Sequence, residues 1–449
     1  LVLSAIFGSL GISADHPITG ETFDAVNLLN KQGLYDILTK MVKNFTSFAP
    51  LGIVVVAMLG IGIAENSGLI SAAIRGLVLN SPQKTLTFII VLAGILSNLA
   101  SSVGYVLLVP LAGTIFLAIG RHPIAGMAAG FAGVSGGFSA NLVLGTIDPL
   151  LAGLSEEAAH IVDPAYHVNP TANYYFMVAS TFLIAVLGTW VTEKIVVPSL
   201  GEYNAEGIKP EKIERLTKEE KKGLRRVTWV FVGFLVILAI GLVPAEGFLR
   251  GPDGTFLQSP ILKGVVAILF LVAGIMGVVY GFSIKKYKND ADVMKGMAES
   301  MKSLAAYLVL VFFAAQFVEY FNWSNLGIIL AINGASFIES MNLSLIPLII
   351  LFVIFSGTIN LVMGSASAKW ALLAPIFVPM FMFLGYSPEL TQVTYRIGDS
   401  VTNIISPMMS FFALIIVYFE KYDKKAGIGT LVATMLPYSV IFFTMPSST

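Results

Sequence analysis

The sequence predicts an all-α polytopic membrane protein with inverted-topology repeats. Three observations carry that reading. Apolar runs fill most of the 449 residues, several of the runs are interrupted by Gly/Ser/Asn patches, and the interrupted runs recur at a constant spacing. Hydrophobic residues make up 56% of the chain and charged residues only 12%, against about 25% charged in a soluble domain. Mean hydropathy is +0.83. The formal net charge is zero, which gives no sign of a nucleic-acid partner. The chain has no cysteine, so disulfides and thiolate metal sites are excluded. The four histidines, His16, His122, His160 and His167, lack metal-ligand spacing. No cofactor is expected. The chain opens at Leu1 inside an apolar run, so the first helix is expected to continue upstream, and no cleavable signal peptide is visible.

A helix needs roughly 20 apolar residues to cross a bilayer. Runs of that kind lie near residues 1–13 (truncated), 47–66, 172–194, 227–244, 260–282, 303–320 and 426–445. Two more crossings, 123–151 and 389–419, are broken in the middle, giving about nine transmembrane helices. Two regions, 84–119 and 342–382, each hold two apolar arms. Their first arms run for about 14 residues, or roughly 21 Å at 1.5 Å per residue, short of the roughly 30 Å hydrocarbon core. They are expected to be re-entrant helical hairpins.

Lys/Arg bias sets the orientation. Segment 194–226 carries nine Lys/Arg, a second loop carries Lys285, Lys286, Lys288 and Lys295, and a third carries Lys421, Lys424 and Lys425. All three are placed in the cytoplasm, with 199–226 as a solvated connector. Segments 150–171 and 245–259 are poor in Lys/Arg and are placed outside. The first hairpin, flanked by Lys84 and Arg121, then enters from the cytoplasm. The second, flanked by Asn342 and Pro388, enters from the other side.

The interruptions match in detail. Ser97-Asn98 and, later, Gly136-Gly137-Phe138-Ser139-Ala140-Asn141 answer to Thr358-Ile359-Asn360 and Gly398-Asp399-Ser400-Val401-Thr402-Asn403. Asn98 and Asn360 are 262 residues apart, as are Asn141 and Asn403; Pro110 and Pro375 are 265 apart, as are Pro123 and Pro388. Paired broken segments point to the binding site of a secondary transporter. Glycine lets a helix unwind, unwinding frees carbonyl oxygens, and Asn, Ser, Thr and Asp add side-chain oxygens that suit a small cation such as Na⁺. One candidate cation site is Thr358, Asn360, Gly398, Asp399 and Asn403. A second is Ser97, Asn98, Ser101, Gly137 and Asn141. The plain alternative is close helix packing through small residues.

Single charges at depth stand out because each costs roughly 2.5–3.5 kcal/mol on insertion scales. Arg396 and Asp399 are three apart and are candidates to pair on one helix face; otherwise Arg396 suits a substrate carboxylate and Asp399 a cation or proton. Asp148, before Pro149, is a relay, a substrate contact or a helix cap. Trp370 could stack on an aromatic ring or serve as an interfacial belt residue, and Lys369 is expected to snorkel to the outer surface.

Those stretches carry a family resemblance. Ser356-Gly357-Thr358-Ile359-Asn360-Leu361, Ser365-Ala366-Ser367-Ala368-Lys369-Trp370-Ala371 with Pro375, and Tyr395-Arg396-Ile397-Gly398-Asp399-Ser400 with Pro407 resemble the AbgT family of p-aminobenzoyl-glutamate transporters, within the wider ion transporter superfamily. The likeness extends over nearly the whole chain. It implies a homodimer in the bacterial inner membrane, moving p-aminobenzoyl-glutamate or sulfonamides. It implies scaffold helices in 1–66 and 172–320, transport-core repeats in 67–171 and 321–425, and a C-terminal helix in 426–449. The family's functional positions fall on Asp148, Ser367, Trp370, Pro388, Arg396, Asp399 and Pro407, and its sodium position on Asn360 and Asp399. Two other classes fit less well. An intramembrane aspartyl protease would need a Gly-x-Gly-Asp tetrad, but position 396 is Arg. A channel would want one continuous polar path rather than two opposed hairpins.

Overall fold

The computed structural model describes residues 1–17, 19–99, 103–203, 215–244, 246–255, 259–302 and 304–444. Backbone polar groups cannot stay unpaired in hydrocarbon, and a helix satisfies its own, so the apolar sequence becomes helix. The first half holds α1 (Val2–Ser9), α2 (Lys31–Thr46), α3 (Ala49–Ser67), α4 (Leu69–Leu79), α5 (Leu86–Ser97), α6 (Val109–Ala118), α7 (Pro123–Phe131), α8 (Ile147–Ala159), α9 (Tyr174–Val191) and α10 (Val197–Leu200). The second half holds α11 (Lys218–Leu242), α12 (Pro260–Lys263), α13 (Val265–Ser283), α14 (Asp290–Lys302), α15 (Ala305–Trp323), α16 (Leu326–Ser340), α17 (Leu345–Asn360), α18 (Ala366–Phe383), α19 (Pro388–Asn403), α20 (Phe412–Glu420) and α21 (Ile428–Thr444).

Six helical stretches among the described residues are long and apolar enough to cross a membrane: Lys31–Ser67, Tyr174–Leu200, Lys218–Leu242, Val265–Ser283, Ala305–Trp323 and Ala366–Phe383. Five of them overlap expected spans, and the sixth is the return arm of the second hairpin. The truncated span read over 1–13 is helical from Val2 to Ser9, as α1, and is followed by a strand, β1 (Ser13–Asp15), paired antiparallel with β2 (Thr22–Asp24). Helices α2, α4 and α16 stand where no span was expected. Each carries polar residues that weaken an apolar run: Lys31, Asp36, Lys40 and Lys43 in α2, Arg75 in α4, and Asn333 and Glu339 in α16. The charged connector is also shorter than expected. Residues 204–214 lie outside the described residues, and α11 already begins at Lys218. A capping box fixes that start: Thr217 Oγ1 accepts from Glu220 N at 3.1 Å and Glu220 Oε2 accepts from Thr217 N at 2.8 Å.

The repeat is deeper than the sequence spacing indicated. Left-handed residues separate α3 from α4 (Gly68, φ 88°) and α15 from α16 (Asn325, φ 58°). Another pair follows the return arms, Gly120 (φ 76°) and Gly385 (φ 82°). Glycine adopts that conformation without a Cβ clash, and asparagine is among the few others that visit it. Helices α4–α7 thus correspond to α16–α19, one helix earlier than the hairpins themselves.

Helix α9 measures the inversion. At its start, the Asn173 Nδ2 donates to Glu389 O at 3.1 Å, at the base of the second hairpin. Past its other end, Glu193 accepts from Arg121 Nη2 at 2.7 Å and from Thr87 Oγ1 at 2.5 Å, at the base of the first. Twenty helical residues rise roughly 30 Å, so the two bases lie at opposite ends of the bundle. The Lys/Arg-rich end also gathers Arg75 with Glu220, and His122 and Tyr422 against the Tyr203 ring. The opposite end gathers Tyr166 with Glu389 and Asn169 with Leu262 O. The geometry agrees with the expected opposite entry of the two hairpins.

Close packing rests on glycine. Helices α3 and α13 meet where a Cβ on Gly60 would lie 2.4 Å from Phe270 Cα, and one on Gly277 would lie 2.6 Å from Ala64 N. Small residues let backbones approach in this way when no hydrophobic drive separates helix from lipid. The outward face of α11 is apolar, with Leu235, Val236 and Ile240 exposed. In the first repeat a Cβ on Gly133 would lie 2.2 Å from Val91 O and 3.0 Å from Val91 C and Cα. Gly133→Ala is therefore expected to destabilise the protein by about 1–3 kcal/mol, read as a lowered midpoint of thermal unfolding in detergent. Gly52→Ala, with nothing within 4 Å of the added methyl, should leave the midpoint unchanged.

Candidate functional site at the helix breaks

In each repeat the first hairpin arm is pressed onto the broken helix. A Cβ on Gly94 of α5 would lie 2.8 Å from Val134 N, and one on Gly398 of α19 would lie 2.6 Å from Val353 O of α17. Gly398 therefore does not mark an unwound turn, as the sequence suggested. It sits inside continuous α19, where its carbonyl accepts from Thr402 Oγ1 at 2.7 Å, and it serves close approach. The breaks come later. In the first repeat α7 passes into a π-helical turn, Ala132–Gly136, and the chain is irregular to Thr146. In the second, α19 ends at Asn403 and α20 starts at Phe412.

The paired asparagines do equivalent work. Asn98 Nδ2 donates to Val134 O at 3.0 Å and Gly137 O at 3.1 Å. Asn360 Nδ2 donates to Asp399 O at 3.0 Å and Thr402 Oγ1 at 2.9 Å. Each ties a hairpin tip to the end of a broken helix. Ser97 and Asn141 join the first cluster: Ser97 Oγ donates to Gly94 O at 2.6 Å, and Asn141 Nδ2 donates to Ile95 O at 3.3 Å. Asn141 Oδ1 accepts from Leu142 N and Val143 N. Ser101 lies outside the described residues. In the second cluster, Thr358 is separated from Asn360: it is exposed, and its Oγ1 donates back to Ile354 O at 2.8 Å.

The charged residues pair differently from the expectation. Arg396 and Asp399 do not bond to each other; each has a partner on another element. Arg396 Nη2 donates to Asp148 Oδ1 at 2.6 Å and to Ser139 O at 3.3 Å, so the second repeat's arginine is held by the first repeat's break. Asp148 Oδ2 accepts from Gly145 N at 2.7 Å, so the carboxylate ties the first turn of α8 back to the loop before it while its other oxygen carries the ion pair. Asp399 Oδ1 accepts from Lys369 Nζ, which also donates to Asn360 Oδ1. Lys369 does not snorkel. Its side chain is 0% exposed because Asp399 and Asn360 hold it inside. All four charges are buried, as a dry interior demands of paired ions.

Trp370 is fully buried too, which removes the belt reading. It stacks on Tyr395 with centroids 4.5 Å apart, and its Nε1 donates to Ser155 Oγ at 3.0 Å. The polar chain continues from Ser155 Oγ to Gln392 Oε1 at 2.7 Å and from Gln392 Nε2 to Asn173 Oδ1 at 2.9 Å. Pro388 is buried at the first position of α19, behind the Ser387 cap that accepts from Leu390 N. Pro407 is exposed in the turn after α19. Ser367, in the first turn of α18, lines a cavity of about 190 Å³ with Ser365, Asn403, Tyr105, Phe138 and Phe411. Arg396 Nε, Ser400 Oγ and Asn403 Oδ1 are buried with no hydrogen-bond partner among the described residues. Such groups are uncommon and mark sites where something polar is to be met.

Lys369, Tyr395, Ser155, Gln392 and Asn173 escaped the sequence reading as members of this centre. For Lys369 a signal existed: Lys369 and Arg396 are the only Lys/Arg from 303 to 420. An isolated cation in so apolar a stretch needs a buried partner. The other four are polar or aromatic residues whose partners lie on distant segments.

Two inverted repeats, with hairpin tips locked to broken helices around crossed ion pairs, define a membrane transporter. The comparisons with known proteins agree. The model of the "AbgT putative transporter family" matches residues 1–447. The p-aminobenzoyl-glutamate transport protein of Escherichia coli K12 is 37% identical over 443 residues, covering 98% of this chain and 87% of that protein. The crystal structure of the YdaH transporter of Alcanivorax borkumensis superposes with a TM-score of 0.93 at 46% identity, covering 99% of this chain and 93% of the other. MtrF of Neisseria gonorrhoeae, described among antimetabolite efflux pumps, superposes with a TM-score of 0.93 at 51% identity, covering 99% and 90%. The chain belongs to the AbgT family. It is a transporter and not an enzyme, it crosses the membrane several times, and an inner-membrane location fits.

Removing one member of a buried pair strands the other, at a cost of about 3–5 kcal/mol. Asp148→Asn is expected to lower the unfolding midpoint sharply. The double variant Asp148→Leu/Arg396→Met should recover most of that stability, measured by thermal unfolding of the purified protein, while remaining inactive in transport.

Proposed function

We propose that the protein is a cation-coupled secondary transporter of p-aminobenzoyl-glutamate and related p-aminobenzoate or sulfonamide compounds, acting as a homodimer. The observation that carries this reading is Arg396, a buried guanidinium at the junction of both breaks, held by a single carboxylate and with Nε unpartnered among the described residues. A substrate carboxylate offers the same planar, acceptor-only chemistry as Asp148 and can exchange with it. Trp370 and Tyr395 supply an aromatic wall beside it, suited to an aminobenzoyl ring once the packing opens. Ser367 and Asn403 add polar contacts at the hairpin tip. Pro388 and Pro407 bound α19 and its exit turn, so they set where that helix ends. The name of the Escherichia coli relative supports the substrate class.

Asn360 and Asp399 are the coupling-ion ligands in this reading, with Asn403 one turn beyond Asp399 and Gly398 holding the close approach. Hard oxygen donors of this kind suit Na⁺. Thr358 is the weakest member, since its hydroxyl points back along its own helix. The first repeat offers a second, uncharged set in Ser97, Asn98, Gly137 and Asn141. Drug export in exchange for protons is a second reading, favoured by the likeness to an antimetabolite efflux pump. Sulfonamides mimic p-aminobenzoate, so one pocket can serve both.

The test is flux of labelled p-aminobenzoyl-glutamate in proteoliposomes, with sodium and proton gradients imposed separately. The expected result is flux driven by inward sodium and abolished in Asp399→Ala and Arg396→Ala. Wild-type flux in either folded variant removes that residue from the mechanism. Sodium-independent flux driven by an opposing proton gradient selects the antiport reading. Asn360→Ala should raise the sodium concentration for half-maximal rate about tenfold or more, and an unchanged sodium dependence moves the ion elsewhere.

A further inference from the structure

We infer that Lys369 is a tethered cation filling the seat that a coupling ion would take, so that loading the ion and releasing Lys369 are one event. The inference rests on the proposed coupling-ion role of Asn360 and Asp399.

The orientation of the seat is fixed by its hydrogen bonds. Thr402 Oγ1 spends its proton on Gly398 O at 2.7 Å, so toward Asn360 it can only accept. The Asn360 group facing it is therefore Nδ2, at 2.9 Å, and the same nitrogen reaches Asp399 O at 3.0 Å. Asn360 Oδ1 must then point the other way, toward Asp399 Oδ1. Both oxygens converge on Lys369 Nζ. The seat is thus two acceptor oxygens, one of them charged, in a pocket where the side chains of Lys369 and Asp399 are 0% and 3% exposed. These are hard oxygens of the kind a monovalent cation also takes, with water or further backbone oxygens completing its shell. Two positive charges cannot share the seat, since they would repel strongly out of water. An empty seat would leave Asp399 as an unpaired buried charge unless it took up a proton, so at neutral charge balance the seat favours an occupant.

The tether gives the exchange a mechanical output. Lys369 stands in the first turn of α18, between Ser367, which lines the polar cavity, and Trp370, which packs on Tyr395. An ion entering the seat pushes Lys369 out, and the same helical turn carries the two neighbouring residues that the substrate reading uses. Ion occupancy is thereby read at the substrate side without a separate relay.

The test is sodium binding to the full-length purified protein, by isothermal titration calorimetry and by sodium-dependent thermal shift, with choline replacing sodium at constant ionic strength. Lys369→Met is expected to bind sodium at least tenfold more tightly than wild type and to gain more thermal stability per added sodium. Wild-type affinity in Lys369→Met would show that Lys369 does not occupy the seat. Loss of binding would show that it builds the seat instead; either result overturns the inference. Asn360→Ala separates the two levels. If it retains wild-type sodium affinity, the underlying assignment of the ion site falls; if it weakens binding while Lys369→Met does not tighten it, only the tethered-cation inference falls. Should Lys369→Met not fold, amine acetylation of wild-type Lys369 read by mass spectrometry replaces it. A several-fold rise in labelling with sodium over choline is expected, and equal labelling overturns the inference.

Discussion

A formal charge inside a membrane protein must meet an opposite charge, and the centre of this molecule is arranged around that requirement. Arg396–Asp148 and Lys369–Asp399 are both fully withdrawn from solvent. The first joins the two repeats; the second joins the hairpin return arm to the broken helix of its own repeat. Because α19 contributes one member to each pair, with Arg396 and Asp399 three residues apart, the same helical turn positions both. Tyr395, next to Arg396, and Gly398, next to Asp399, lock the same helix to α18 and α17 by stacking and by glycine contact.

The pseudo-symmetry is kept where the hairpin tips are tied down and broken in the charge. Asn98 and Asn360 make the same kind of bonds to their broken helices, and a glycine allows close approach in each repeat, from the hairpin arm in the first (Gly94) and from the broken helix in the second (Gly398). Yet Gly137 stands where the second repeat has Asp399, so the first repeat has nothing to hold a lysine. One half has become a neutral counterpart of a half that carries charge. Asp148 is the first repeat's contribution to the charged centre, offered from beyond its break rather than from within the matching helix.

Much of the fold was legible because the bilayer imposes simple rules. Long apolar runs had to be helices, Lys/Arg bias had to mark one face, and matched interruptions had to mark equivalent backbone. What was missed follows from the same rules applied too locally. Helices α2, α4 and α16 carry enough polar residues to blur an apolar run, yet pack as part of the bundle. At the site, residue types and positions were legible, but partnership was not. A spacing of three made Arg396 and Asp399 look like a pair, because sequence reveals neighbours on one helix and hides those on another. Lys369 was assigned to the surface for the same reason: its partner is thirty residues away in sequence. Trp370 was read as stacking on an aromatic ring or sitting in the interfacial belt, and the ring it meets, Tyr395, lies on another helix.

Helix α9 acts as a strut. Its two ends are bonded to the bases of the two opposed hairpins, through Asn173 to Glu389 and through Glu193 to Arg121. It therefore holds those bases at a fixed separation across the bundle. Sliding one hairpin past the other would tear one of its two attachments. Turning or shifting both together would carry the strut along intact. The molecule is built so that its two halves are cheap to move as a single block and costly to move apart.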